Sequence, residues 1–273
     1  MQTPLAQIVA LTCYGNAALR GVTVPRFFPG NSTCQFCEFV NFVLLTKSTD
    51  GAVKQTVAFN SPDEWLIDIR RRGVLGMRLI QQEQNNPNIS DRMSSGFVGG
   101  GRIWKIELLN ADLTSDFWIS RWKVGNKLAA DRKFWQVSYG MNQSLKTKQH
   151  NLRPLSEIKT DLQCTLNEIW TFSEKQNLKG FSVLFTDALR AIDDHCADVG
   201  YHKDLFPIGT LAGDAESLLK AAMSAWVFGG MGSWNDMGFD GDIQMEYNEL
   251  SDKLYSKLVK AIEAAATSSM FSN

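Results

Sequence analysis

The sequence is poor in metal-binding side chains. It has only three histidines, and its five cysteines include one Cys-x-x-Cys pair, Cys34 and Cys37. A structural zinc site needs four ligands, so this pair supplies only half of one. His195, Cys196 and His202 could supply the other ligands only if distant segments of the chain meet. We predict no bound metal and interpret Cys34 and Cys37 as buried thiols, with a redox pair as the open alternative.

Long apolar runs are also lacking. None approaches the ~18 to 20 residues that cross a bilayer, and the N-terminus has no signal-peptide pattern. An odd number of cysteines without a secretory context predicts free thiols. With 273 residues and 44% apolar content, the expectation is a globular cytoplasmic protein that does not contact membranes and has room for two domains.

Recognisable catalytic and nucleotide-binding motifs are missing. Gly96, Gly99 and Gly101 do not follow the dinucleotide fingerprint, and Ser233 is not in a Gly-x-Ser-x-Gly elbow. A carboxylate-rich segment misses the EF-hand order; its acids are Asp236, Asp240, Asp242 and Glu246. We predict no catalytic residue and no cofactor. An enzyme whose site is dispersed along the chain remains open, because active sites are defined by three-dimensional geometry.

Charge divides the chain into two halves. Residues 1–150 carry 18 Lys/Arg against 11 Asp/Glu, whereas residues 151–273 carry 10 against 18. Such a division is typical of a surface for anions on one half, or of two parts that attract each other. Ordinary solvated faces are the alternative.

Hydrophobic periodicity predicts an α+β N-terminal half. A helix begins at Thr3 and Pro4 and stops before Gly21, and a capping box at Ser61 to Glu64 starts a second helix. The expected strands form a mainly antiparallel sheet; they span 39–46 and 52–59 with a hairpin turn at Asp50 and Gly51, then 74–80, 103–109, 117–124 and 134–139. Between them, 81–101 is expected to be a flexible or functional loop.

After residue 150 the spacing of the apolar residues becomes that of helices. Apolar residues recur at helical spacing over 158–172, 181–192, 215–228 and 250–262, which predicts a C-terminal all-α bundle. Residues 142–151 are polar and are the expected linker. We therefore expect a basic α+β domain over 1–145 and an acidic helical domain over 152–273.

The most distinctive segment follows the third of these helices. It runs Phe228, Gly229, Gly230, Met231, Gly232, Ser233, Trp234, Asn235, Asp236, and is called the signature turn below. Asp214 is the expected N-cap of the preceding helix, and the glycines are expected to end it, at least one with a positive φ. Asn235 and Asp236 suit capping, and Met231 and Trp234 suit packing. We interpret the signature turn as a structural element; the alternative is that it forms part of a binding site for a partner.

Together with its flanking helices, this segment resembles a family of small all-helical bacterial domains of unknown function, with a Phe-Gly-Gly-Met-Gly-Ser-x-Asn-Asp signature. Some relatives resemble immunity proteins that neutralise toxins. The resemblance covers about 152–265 and implies no catalytic residue. Residues 1–150 show no such resemblance.

Basic residues interleave with aromatic residues on the predicted strands. Exposed rings stack on bases while Lys and Arg neutralise phosphates, although alternation usually buries the rings. The candidate nucleic-acid-binding residues are Arg102, Lys105, Arg121, Lys123, Arg132 and Lys133.

Two functions follow. The first is a non-enzymatic bacterial interaction protein, in toxin immunity or defence, whose acidic helical half binds a basic protein partner. The alternative is nucleic-acid or nucleotide binding by the basic N-terminal sheet, with a regulatory helical half.

Overall fold

The computed structural model describes residues 1–47, 51–84, 86–148, 152–194, 198 and 202–271, without the side chains of residues 142 and 143. Within these ranges six strands form one sheet in the order β2-β1-β6-β5-β4-β3. Neighbours are antiparallel except β1 and β6, which are parallel. The predicted α+β class with a mainly antiparallel sheet is confirmed. The strands are β1 Cys37–Lys47, β2 Val53–Phe59, β3 Gly76–Gln82, β4 Ile103–Leu109, β5 Thr114–Val124 and β6 Trp135–Lys146.

Helices flank the sheet and form the C-terminal region, where α4 contacts α5 and α7, and α6 contacts α5 and α7. Within the described residues, no helix is both long enough and apolar enough to cross a bilayer. The helices are α1 Thr3–Leu19, α2 Pro62–Arg71, α3 Asp91–Ser94, α4 Leu155–Lys175, α5 Lys179–Asp193, α6 Gly213–Ser224 and α7 Gly241–Ser268.

Two expected boundaries were wrong. The first five residues of the predicted linker belong to β6, because the end of that strand pairs with residues 114–116 of β5. The predicted loop 81–101 contains α3. The β1–β2 pairing is confirmed, while Asp50 of its turn lies outside the described residues.

Helix α6 also differs from its prediction. It is capped at Ala212 rather than Asp214, whose carboxylate instead lies 2.9 Å from Lys159 Nζ. It ends at Ser224, before the glycines, and the chain beyond it leaves the helix so that the rings of Trp226 and Phe228 pack on α7. The helix therefore ends where the rings of Trp226 and Phe228 pack on α7, and not at the glycines.

Helix α1 is buried on every side. Each residue from Leu5 to Ala17 is buried, because the helix lies between the sheet, α2 and α7. Its polar side chains are paired: Gln7 donates to the Thr33 carbonyl at 3.2 Å and accepts from the Tyr139 hydroxyl at 3.1 Å. A helix with apolar residues all round needs this central position. We call the sheet face that α1 and α2 cover, which carries Phe42, Trp118 and Tyr139, the inner face.

Side chains seal the outer edge of β3. The Asn16 amide of α1 accepts from Met77 N at 2.7 Å and donates to Met77 O at 2.9 Å. The Thr267 hydroxyl of α7 lies 3.1 Å from Leu79 N and 3.2 Å from Leu79 O. Two helices thereby satisfy backbone groups that an edge strand otherwise leaves unpaired.

A carboxylate continues this seal. Glu263 Oε1 of α7 accepts from Gln81 N at 3.1 Å. Burial raises the pKa of Glu263 despite that hydrogen bond. We call the contacts of Asn16, Thr267 and Glu263 with β3 the edge seal.

The buried apolar side chains of both halves belong to one contiguous cluster, which runs from α1 and the sheet to α4–α7. The division into domains 1–145 and 152–273 stays a prediction, and the two segments share a core.

We expect Asn16→Ala to lower the free energy of unfolding by about 1 to 3 kcal/mol for each Met77 backbone group left unpaired. Urea unfolding measures this. Asn167→Ala, at an exposed site on α4, is the matched control and is expected to change stability by less than about 0.5 kcal/mol. Equal effects of the two substitutions would contradict the edge seal.

Candidate functional site

The signature turn is built around Asp236 and Gly232. Gly232 has φ 82°, in the left-handed region, as expected for one of the glycines. The Asp236 carboxylate accepts from the backbone N–H groups of Gly232 and Ser233, and the Ser233 hydroxyl accepts from Asn235 N at 3.3 Å. Residues 234–236 form a single 3-10 turn within this capping box.

Trp234 is fully buried inside the helical region. Its ring centroid lies 5.0 Å from that of Phe181 and 5.4 Å from that of Phe185, both nearly perpendicular to it. Its indole N–H donates to Ser251 Oγ at 2.7 Å, and its carbonyl accepts from the Tyr247 hydroxyl. The geometry gives Trp234 a structural role.

Met231 differs from its expectation. It was expected to pack against neighbouring helices, but its side chain is fully exposed at the tip of the turn. Gly230 and Gly232 beside it leave no neighbouring side chain to cover it.

The segment before β4 packs on the signature turn. The Asn235 amide donates to the Arg92 carbonyl at 3.2 Å and accepts from Arg92 Nη1 at 3.1 Å. A Cβ at Gly96 would lie 2.2 Å from the Gly229 carbonyl oxygen, so the two backbones touch there. The signature turn therefore connects the helical half to the loop that leads into β4.

A cleft of about 490 Å³ lies where this loop, the start of α1 and the sheet meet. It opens where β4 and β5 separate: their pairing ends at Lys105 and Ile119, although β5 continues to Val124 beside β6. We call it the aromatic cleft. Its lining includes Trp104, Trp122, Trp226, Tyr255, Arg102 and Arg121, together with the backbone of Gly99–Gly101.

Two indole N–H groups in the lining lack an acceptor. Trp122 Nε1 and Trp226 Nε1 are buried with no hydrogen-bond partner in the described part of the chain. Tyr255 Oη accepts from Arg102 N at 3.3 Å, and burial raises the pKa of Tyr255 to about 12, so its hydroxyl stays protonated.

The two arginines of the cleft differ in charge environment. Arg102 lies 2.8 Å from the Glu83 carboxylate and 3.7 Å from that of Asp91. Arg121 is exposed and makes no ion pair with any described residue. Arg121 is therefore the cation of the cleft that remains free for a ligand.

The structure divides the predicted basic set: Arg102 and Arg121 line the aromatic cleft, and the other four residues do not. Lys105, Arg121 and Lys123 share the sheet face opposite α1, whereas the Trp118 ring lies on the inner face. Arg132 lies over the Phe36 ring at 5.5 Å, in the β5–β6 connection that also holds Lys133. Side chains alternate between the two faces of a strand, so the rings and the charges of these strands lie on opposite faces. The predicted nucleic-acid surface needs both on one face, and the sheet separates them.

The Cys-x-x-Cys pair is buried beside α1. Gln7 Nε2 lies 3.7 Å from both sulfur atoms. Interaction between the two thiols raises the pKa of Cys34, to which burial adds, and lowers the pKa of Cys37. Cys34 and Cys37 are free thiols, as are the other described cysteines, Cys13 and Cys164.

A metal-binding cluster of three or more His, Cys, Asp or Glu is absent from the described ranges. His202 contacts the short helix Ser32–Cys34, with Nδ1 2.9 Å from Ser32 Oγ, and burial lowers the pKa of His202. His195 and Cys196 lie outside the described residues.

Sequence reasoning missed the cleft. Trp226 falls in the range 215–228 that the sequence predicts to be helical, and Tyr255 follows Leu254 on α7 without any pattern that marks it. Local sequence holds no signal for a site whose walls come from residues 2 to 255.

Comparison with known proteins found no matching family model, no matching curated protein and no matching solved structure. The resemblance of the helical half to immunity-like bacterial domains stays a prediction.

We expect Trp234→Ala to lower the free energy of unfolding by about 3 to 5 kcal/mol, because it removes a fully buried ring from a cage of aromatic side chains. Chemical denaturation measures this. Trp170→Ala, at a 37%-exposed site on α4, is the control and is expected to cost clearly less than Trp234→Ala. An unchanged melting temperature for Trp234→Ala would instead favour a role of this residue in binding.

Proposed function

We propose that the protein binds, without chemical conversion, a small ligand that carries an aromatic ring and an anionic group, as a mononucleotide does. The ligand occupies the aromatic cleft. The basic sheet contributes Arg121 and Trp122, and the helical half contributes Trp226 and Tyr255. Residues of both halves therefore contact the ligand, and the helical half takes part in binding directly.

The dimensions of the cleft support this proposal. About 490 Å³ lies within the range of roughly 300 to 1,000 Å³ that is usual for small-molecule sites. Such sites combine mainly apolar and aromatic walls with a few polar groups. The aromatic cleft has this composition and lies between two parts of the chain, where ligand sites are frequent.

The single observation that carries the proposal is the pair of indole N–H groups on Trp122 and Trp226 that have no acceptor among the described residues. Trp65 and Trp118 share this state, but only Trp122 and Trp226 line the cleft. A buried donor without an acceptor costs about 1 to 3 kcal/mol. A ligand whose ring nitrogen or oxygen accepts from these N–H groups removes that cost. The rings themselves offer stacking surfaces for a planar ligand.

Charge selects the anionic part of the ligand. Arg102 is neutralised by Glu83 and Asp91, whereas Arg121 at the rim makes no ion pair with a described residue. When Arg121 binds the phosphate of the ligand, the aromatic ring of the ligand stacks on the tryptophans of the cleft.

Titration calorimetry with mononucleotides and the corresponding nucleosides tests this function. We expect Arg121→Ala to weaken nucleotide binding about tenfold or more and to leave nucleoside binding unchanged. Trp122→Leu is expected to weaken both about tenfold, because each stacked base contributes about 1 to 3 kcal/mol.

Lys123→Ala is the matched control, because Lys123 follows Arg121 by two residues on β5 but does not line the cleft. Its nucleotide affinity is expected to equal that of the unaltered protein. The proposal fails if neither nucleotides nor nucleosides bind saturably at low ionic strength, or if Lys123→Ala weakens binding as much as Arg121→Ala.

A second candidate is the expected interaction protein of the immunity type, acting in the cytoplasm on a basic protein partner. It is supported by exposed apolar side chains in an acidic setting: Met231 at the signature turn, and Met245 at the start of α7. Asp240 and Asp242 nearby make no ion pair with a described residue. The free thiols of the described cysteines fit a reducing compartment.

A further inference from the structure

The face of the sheet opposite α1 and α2 carries exposed aliphatic side chains. Val53, Val57, Ile119 and Leu145 are each between 41% and 55% exposed. Ile119 follows Trp118 on β5, so the alternation of a strand places it on the face away from α1. We call this the outer face.

A groove runs over the outer face, with a volume of about 550 Å³. Gly140 of β6 forms its floor, because it pairs with Val43 of β1 on one side and with Ile119 of β5 on the other. The Leu45 side chain packs over this glycine, with its Cδ1 atom 3.0 Å from where a Cβ at position 140 would lie. The walls are mainly aliphatic and include Val43, Leu45, Val53, Ile119 and Leu145.

Positive charge surrounds this groove. Lys105 and Arg121 line it, and the strand register places Lys47 and Lys123 on the same face. Two carboxylates of the sheet, on β4 and β1, are already paired. Glu107 is buried against Arg78, with Oε2 2.9 Å from Nε, and Glu38 accepts from Gln136 Nε2 at 2.9 Å.

We propose that this groove binds an acidic amphipathic helix of a partner protein. The aliphatic floor fits a stripe of leucine-like side chains, and the surrounding Lys and Arg fit carboxylates that flank such a stripe. A nucleic acid fits less well, because bases stack on aromatic rings and the groove lining has only Phe117 to offer. The groove shares Ile119, Ser120 and Arg121 with the lining of the aromatic cleft, but the partner proposed for it and the residues that test it are different.

The probe is a labelled amphipathic helical peptide with leucine on one face and glutamate on the other, measured by fluorescence anisotropy at low ionic strength. The full chain is expected to bind it saturably. Lys105→Glu is expected to weaken binding about tenfold or more, because it places like charges together. Leu145→Asn is expected to weaken it as well, by removing an aliphatic contact.

Lys54→Glu is the matched control. It makes the same change of charge on β2, a strand that also lines the groove, but Lys54 alternates with Val53 and Gln55 and so lies on the other face. Its affinity for the peptide is expected to be unchanged. A second peptide with lysine in place of glutamate is expected to bind Lys105→Glu better than the unaltered chain. Circular dichroism and the melting temperature verify that each variant folds.

Three results would overturn the proposal: no saturable binding of the glutamate peptide, an equal loss of binding in Lys54→Glu, or displacement of the peptide by a labelled oligonucleotide at the same site. Concentration-dependent dimers in sedimentation that Lys105→Glu abolishes would assign the groove to a second copy of this chain and also contradict it. Lys105 and Leu145 do not line the aromatic cleft, so nucleotide binding by these variants distinguishes this proposal from the proposed function.

Discussion

The edge of β3 is the constraint on which the rest of the structure depends. An edge strand presents backbone N–H and C=O groups that must be paired or solvated. Here Asn16 pairs both groups of Met77, Thr267 pairs both groups of Leu79, and Glu263 accepts from Gln81 N. Two helices from opposite ends of the chain thereby occupy the place of a seventh strand.

The edge seal also positions the aromatic cleft. The helix that supplies Thr267 and Glu263 carries Tyr255 about three turns earlier, so docking of α7 on β3 sets the position of the cleft wall. Earlier still on α7, Tyr247 packs against Trp234 of the signature turn, with ring centroids 5.5 Å apart. The signature turn in turn holds the loop before β4 through Asn235. One helix thus connects the sheet edge, the cleft and the signature turn.

Local features were predictable from the sequence. Pro4 near the start of α1, the Ser61 cap of α2 and the Gly232–Asp236 turn depend on interactions within a few residues, so their residue types reveal them. The alternation of β5 likewise separates Trp118 from Ile119. These features account for the success in fold class and in most element positions.

Features that depend on distant segments were not predictable. Asn16 on a fully buried helix gives no sign that it pairs with Met77, and Thr267 is 188 residues from its partner Leu79. The parallel pairing of β1 with β6 follows from the whole topology. The early end of α6 depends on rings that pack against Tyr255, which no local pattern indicates.

Hydrogen exchange of the β3 amides tests the central claim most directly. If side chains seal this edge, the amides of Met77, Leu79 and Gln81 exchange as slowly as that of Val137, which lies on a central strand. Fast exchange at these three amides, with Val137 still protected, would show that β3 is an open edge and would contradict the account.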